Sequence, residues 1–189
     1  MTIENEEALL QAIQDDSRRF GEVYDAYYGD IFRYAFRRTA QYDAARDIAA
    51  ETFLKAFAGI GRFRWRGVSI LHWLYRIATN ELRRYATARA YAPSSLNRIM
   101  EEYGVDIAGS GGAEEERIAA EEELAKHEEY RRVHGVIGTL DAKYQEVLAL
   151  RYYERRSVAE IALILGKREG TVKSLLSRGI EQVRKRIKG

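Results

Sequence analysis

The sequence predicts an all-α chain of two small helical domains joined by a flexible acidic linker, the C-terminal domain a helix-turn-helix. Three observations predict it. The chain holds a single proline, Pro93, and helix interiors tolerate proline least of all residues. Apolar residues recur at three- and four-residue spacing along most of the chain, without the sustained alternation of strands. Charge is segregated beneath a net total of only +2. Residues 57–91 carry a net +6, residues 92–130 a net −8 and residues 151–189 a net +7.

The first domain, 1–91, reads as four helices. Leu9, Leu10 and Ile13 mark one over 6–14, and Phe20, Val23, Tyr24, Tyr27, Tyr28, Ile31 and Phe32 a second over 19–38. Ile48, Thr52, Phe53, Ala56 and Phe57 mark a third over 43–58. Leu71, Leu74, Ala78, Leu82 and Tyr85 mark a fourth over 70–88. Each set lines one face of a 3.6-residue period.

Residues 92–120 read as the linker. Gly109-Ser110-Gly111-Gly112 is a flexible composition, and Glu114–Glu116 with Glu121–Glu123 form an acidic run. The second domain, 121–189, starts with a helix over 121–138 and another over 141–153 that carries Tyr144, Val147 and Leu148. Ser157 stands three residues before Glu160, the spacing of a capping box. It opens a helix Val158–Leu165 with Ile161, Ala162 and Leu165 facing inward, and Gly166 closes it. A last helix begins near Arg168, with Val172, Leu176 and Ile180 toward the core.

Several classes of protein are excluded by composition. With no cysteine among 189 residues, disulfide scaffolds, cysteine-ligated zinc, iron–sulfur clusters and thiol nucleophiles fall away together. No stretch approaches the ~18 apolar residues of a membrane span, so no membrane insertion is expected. The start, Met1 to Glu7, is acidic and lacks the parts of a signal peptide. A cytoplasmic protein is the expectation. Of the three histidines, His72, His127 and His134, only the last two could share a helix face, and no third ligand stands near them. The Gly109–Gly112 run lacks the Gly-Lys-Ser/Thr ending of a phosphate loop. No catalytic residue, metal site or cofactor is expected.

The two basic blocks differ in kind. Around Arg62-Phe63-Arg64-Trp65-Arg66, then Trp73, Arg76 and Asn80, then Arg83-Arg84, arginines interleave with aromatics. That mixture suits single-stranded nucleic acid, where bases stack on rings for about 1–3 kcal/mol each and cations track the backbone. Arg76 and Asn80 can hydrogen-bond an extruded base edge. Trp73 and Tyr75 fit core packing as well. The last helix instead offers Arg168, Glu169, Thr171, Lys173, Ser174, Ser177 and Arg178 to a duplex groove and its phosphates. Its tail, Arg184-Lys185-Arg186 with Lys188, suits phosphate contact without sequence code. The helix around Asp47 and Glu51 is acidic, poor for phosphates and good for a basic protein surface.

Four of these segments together resemble a family. Asp47-Ile48-Ala49-Ala50-Glu51-Thr52-Phe53, Trp73 to Asn80, Glu160-Ile161-Ala162 with Leu165-Gly166, and Gly170-Thr171-Val172-Lys173-Ser174 occur in the order found in extracytoplasmic-function (ECF) sigma factors of bacterial RNA polymerase. These are the small members of the sigma-70 superfamily with domains two and four only. The resemblance implies that Asp47, Ile48, Glu51, Thr52 and Phe53 dock on the clamp helices of the polymerase largest subunit. It implies that Arg62, Phe63, Arg64, Trp65, Arg66, Ser69, Trp73, Arg76, Asn80, Arg83 and Arg84 recognise and open the minus-ten element. The helix from Glu169 to Arg178 would read the minus-thirty-five element. The implied partners are core RNA polymerase, including its flap, promoter DNA and an anti-sigma protein.

The chain departs from the pattern at several places. Ala50 replaces a common Gln, the Arg66-Gly67-Val68-Ser69 loop is one residue longer, and Leu140-Asp141 replaces Leu-Pro. Leu175 replaces a basic residue and Gly179 an alanine. The alternative is a helix-turn-helix regulator with an unrelated helical sensor domain, which leaves the Arg-aromatic loop and the acidic helix unexplained. Duplex stacking averages about 1.4 kcal/mol per step. A few base–ring contacts offset part of that, so the free protein is expected to open DNA only when docked on polymerase. The acidic linker is expected to screen the basic domains, to thread a basic polymerase channel, or to act as a solvated spacer.

Overall fold

A computed structural model describes residues 5–65, 67–91, 133 and 135–188, without the side chains of 89–91 and 188. The linker, most of the 121–138 helix, Arg66, His127 and His134 lie outside the described residues. Among those described there is no strand.

The first group of helices is α1 (Glu6–Asp15), α2 (Phe20–Thr39), α3 (Tyr42–Gly59) and α4 (Ile70–Tyr91). Asn5 caps α1, its side chain accepting the Ala8 N–H at 2.9 Å. Val23, Tyr27, Ile31 and Tyr34 run down the buried face of α2 at the predicted spacing. Helix α2 ends at Ala40, left-handed at φ 54° with its N–H on the Phe36 carbonyl, and the chain reverses into α3. Thr52 is fully buried in α3, and its hydroxyl donates to the Ile48 carbonyl at 2.7 Å. That bond removes the cost of an unpaired buried hydroxyl. Ile70, Leu74, Tyr75 and Ala78 bury the inner face of α4.

The second group is α5 (Ala142–Leu148), α6 (Val158–Leu165) and α7 (Glu169–Lys188). The helix expected to run unbroken over 141–153 widens instead into a π turn at Ala149–Tyr153. There the Glu154 N–H reaches back five residues to the Ala149 carbonyl at 3.1 Å. Periodicity cannot show such a turn, because it adds one residue without breaking the apolar face. The capping box is present: the Glu160 N–H donates to Ser157 Oγ at 3.2 Å, and the Ser157 N–H donates to Glu160 Oε2 at 2.6 Å. Ser157→Ala is expected to cost about 1 kcal/mol, read as a lowered midpoint in thermal unfolding. Gly166 is left-handed at φ 63° and ends α6. Leu165 packs half-buried against the core as expected, and Ile164 beside it is fully buried.

Gly179, which replaces a common alanine, sits where two helices meet. A Cβ there would meet the Leu148 side chain at 3.2 Å. The missing side chain lets α5 and α7 approach closely.

Candidate nucleic-acid and protein-docking surfaces

Helix α3 sorts its motif by face. The Asp47 side chain is 76% exposed and that of Glu51 47%. Four residues apart, the two share one outer face. Ile48, Thr52 and Phe53 are buried. These three hold α3 to its neighbours, and Ile48 also lines a shallow groove beside Asp47 and Glu51. Exposed Leu54 and Phe57 extend the outer surface of α3. The groove is lined also by Glu81, Arg84 and Tyr85 of α4. Lys55 pairs with Glu51 at 3.0 Å and Glu81 at 2.7 Å, and Arg84 pairs with Glu81 at 3.1 Å. Arg84 therefore sits on the acidic side of α4, apart from the arginines with which it was grouped.

The loop between α3 and α4 is anchored at both ends. Phe63 stacks against Trp73 with ring centroids 4.6 Å apart, and its N–H donates to the Ile60 carbonyl at 3.0 Å. Trp73 is thus a half-buried support for the loop. Trp65 is 40% exposed, and Arg62 and Arg64 are exposed beside it. Gly67 takes φ 72°, a left-handed turn that favours glycine. At the far end Ser69 Oγ accepts the Leu71 N–H at 3.2 Å and caps α4.

The outward face of α4 carries the remaining expected minus-ten residues, and the second group of helices engages Arg76 and Arg83 while these and Asn80 stay exposed. Arg83 places two guanidinium nitrogens 2.6 Å from the two oxygens of Glu146 on α5. Glu146 has a side chain only 3% exposed. The Arg83 guanidinium is held charged by that carboxylate. Arg83 also donates to Asn80 Oδ1 at 3.2 Å. Arg76 donates from Nε to the Ile164 carbonyl at 3.1 Å and from Nη2 to the Leu163 carbonyl at 2.9 Å. A cation there meets the negative end of α6. Beside it, the Gly166 backbone approaches so closely that a Cβ would lie 3.2 Å from Arg76 Nη2.

Residues not expected from sequence complete the contact. Arg37 of α2 pairs with Glu154 at 2.8 Å, and the Tyr75 hydroxyl donates to the other oxygen of Glu154 at 2.8 Å. Burial, with the Glu154 charge beside it, pushes the Tyr75 hydroxyl far up from its ordinary range. Arg156 lies over the Tyr75 ring at 5.2 Å. His72 Nε2 bonds to Glu160 Oε1 at 2.8 Å. Burial works against the Glu160 charge, but the hydrogen bonds from Ser157 and His72 outweigh it and hold the carboxyl at about 2. Since this value is depressed, the contribution of Glu160 is complete above its ordinary 4.5 and lost as pH falls through about 2.

Every expected duplex-facing residue, Arg168 just before α7 and Glu169, Thr171, Lys173, Ser174, Ser177 and Arg178 on it, is exposed. Val172 and Leu176 are buried, and Ile180 packs against the core. The helix presents small polar and basic side chains on the side away from its apolar face.

Comparison with known proteins identifies the family. Residues 23–91 match the family profile described as Sigma-70 region 2, and residues 130–183 match Sigma-70, region 4. The ECF RNA polymerase sigma factor BldN of Streptomyces coelicolor is 29% identical over 174 residues, covering 92% of this chain and 62% of BldN. The ECF RNA polymerase sigma factor SigW of Bacillus subtilis is 28% identical over 191 residues, covering 95% of each. Among solved structures, CnrH in complex with the cytosolic domain of CnrY has a TM-score of 0.65 at 21% identity and covers 96% of both chains. The sigma factor RpoE in complex with the anti-sigma factor NepR from Bartonella quintana has a TM-score of 0.61 at 21% identity, covering 89% of this chain and 96% of that one. These two likenesses concern the fold.

Proposed function

Because the chain belongs to the sigma-70 family and is an ECF sigma factor, we propose that it docks on core RNA polymerase through the outer face of α3, captures the minus-ten strand with the 63–69 loop and α4, and reads the minus-thirty-five duplex with α7. It directs the polymerase to specific promoters. RNA synthesis belongs to the polymerase, and this chain supplies recognition. Domains of 1–91 and 121–189 with a linker at 92–120 fit the division of labour.

The observation that carries the reading is the sorting of side chains on three surfaces. Acidic groups face outward on α3, an exposed Trp65 stands among arginines on an anchored loop, and short polar and basic groups cover the outer side of α7. A regulator with an unrelated sensor domain has no use for the first two.

We further propose that the described conformation is closed. Arg76 and Arg83, which would meet DNA, are bonded to Leu163, Ile164 and Glu146 of the second group. The arginines keep exposed surface, 42% for the Arg83 side chain, so solvent screens these contacts and the closure is worth roughly a few kcal/mol in all. Nanomolar docking on a protein partner releases about 12 kcal/mol, enough to open it. An anti-sigma protein that keeps the two groups together would act in the opposite sense.

Trp65→Ala tests the loop. With core polymerase bound, affinity for a fork-junction template carrying a single-stranded minus-ten element is expected to fall about tenfold, the loss of one base stack. Affinity for a duplex minus-thirty-five fragment is expected to stay unchanged. Equal loss on both templates would count against the assignment.

A further inference from the structure

We propose that Glu6 is a positioning residue for the minus-ten loop, fixing where α4 begins and so where Trp65 and its neighbours stand. The inference rests on the reading of the 63–69 loop just given. Nothing in the sequence pattern marks Glu6, which lies 63 positions before Ser69.

The geometry joins three elements at one carboxylate. Oε1 accepts the Tyr27 hydroxyl of α2 at 2.7 Å and the Ser69 hydroxyl at 2.8 Å. Oε2 accepts the Ile70 N–H, the first amide of α4, at 2.8 Å. Ser69 in turn accepts the Leu71 N–H. Two of the unpaired amides at the start of α4 are thereby satisfied, one by Glu6 and one by Ser69. A carboxylate at that end also meets the positive pole of the helix.

The placement matters because of what lies between the anchors. Phe63 on Trp73 fixes the loop entrance, and Glu6 fixes its exit. Between the two anchors lie Trp65 and the left-handed Gly67. Were the exit free, Ser69 and the first turn of α4 could shift, and the position of Trp65 relative to Arg76 and Asn80 would shift with them. Errors of about 1 Å in a positioned group are enough to lower function by large factors. A bare carboxylate beneath a DNA-binding loop would repel phosphate. Here three donors engage its oxygens, which suits Glu6 to a supporting place rather than a contacting one.

Glu6→Gln keeps the shape, retains one acceptor oxygen and turns the other into a donor facing a donor. The test uses the full chain bound to core polymerase and fork-junction templates that carry each of the four bases at the single-stranded minus-ten positions. For Glu6→Gln, the preference between best and worst base is expected to drop about tenfold, the effect of losing hydrogen bonds to a charged group. Affinity for core polymerase and for a duplex minus-thirty-five fragment should hold within about twofold. Glu7→Gln serves as the control, because Glu7 is exposed in the same first turn of α1 and its loss removes an equal charge without touching the Glu6 contacts. It should keep the base preference. The proposal is overturned if Glu6→Gln discriminates bases like the wild type, if its affinity for core polymerase falls in parallel, or if Glu7→Gln loses the preference equally. A wild-type chain with no base preference at all would overturn the reading of the loop, and Glu6 with it.

Discussion

Replacing both Asp47 and Glu51 by lysine is expected to weaken binding to core RNA polymerase by at least about a hundredfold, and to abolish promoter-specific transcription with it. The two carboxylates share the outer face of α3, and α3 would meet a basic partner surface. Opposed like charges at an interface cost several kcal/mol, and about 2.8 kcal/mol is a hundredfold. The fold should survive, since exposed substitutions usually stay within about 0.5 kcal/mol. The contrast with Ile48 makes the experiment specific. Ile48 belongs to the same motif but is buried, so Ile48→Ala should cost about 2–4 kcal/mol of stability through the cavity it leaves. Fluorescence anisotropy with labelled chain measures the first effect, and thermal unfolding the second. Unchanged polymerase affinity in the double lysine variant would remove α3 from the docking surface.

The second large effect concerns closure. Glu146→Ala with Glu154→Ala is expected to open the free chain and raise its affinity for a single-stranded minus-ten oligonucleotide by about two orders of magnitude. Both carboxylates are almost fully covered, at 3% and 6% side-chain exposure. Removing them leaves Arg83 and Arg37 facing the contact without their carboxylate partners. Each lost set of charged hydrogen bonds costs about 1.5 kcal/mol, about 3 kcal/mol for the two, and the cost falls on the closed state. A binding-competent state held to a small fraction lowers apparent affinity by that fraction, and releasing it restores the affinity. Small-angle scattering should report a larger radius of gyration for the variant. Neither Glu146 nor Glu154 belongs to the proposed DNA surface, so the gain would come from releasing α4. Unchanged dimensions and unchanged affinity would contradict the closed reading.

Which features were legible in the sequence follows from how local their causes are. The capping box at Ser157 and Glu160 and the glycine stop at Gly166 depend on neighbours within a turn, and the structure has both. The apolar stripes of α2 and α4 are also local, since each is a periodicity along one helix. The motif from Asp47 to Phe53 is contiguous in sequence but divides between an exposed and a buried face. A helix turns about 100° per residue, so Asp47 and Glu51 face out while Ile48 and Thr52, one residue on, face in. That part was readable from spacing alone.

The contact across α4 was not readable, because its partners lie 63 to 117 positions apart. One trace of it stood in the sequence: Glu146 is an acid amid Tyr144, Val147, Leu148 and Leu150. A carboxylate in an apolar stretch implies a distant partner without naming Arg83. The π turn at Ala149–Tyr153 left no trace, yet it leads directly to Glu154, which meets Arg37 and Tyr75. Glu6 is the same case at smaller scale. Its neighbours in sequence show a helix start with acids in the first turn, and only the fold brings Ser69 and Ile70 to it.

Run-off transcription with core polymerase on a library of promoter fragments tests the central claim most directly. Core polymerase with this chain is expected to transcribe a subset of templates that share one minus-thirty-five and one minus-ten element at fixed spacing, while core polymerase alone transcribes none of them. Binding of the chain to duplex DNA with no transcript from any template, and no association with core polymerase, would contradict the account and favour a regulator that uses α6 and α7 alone.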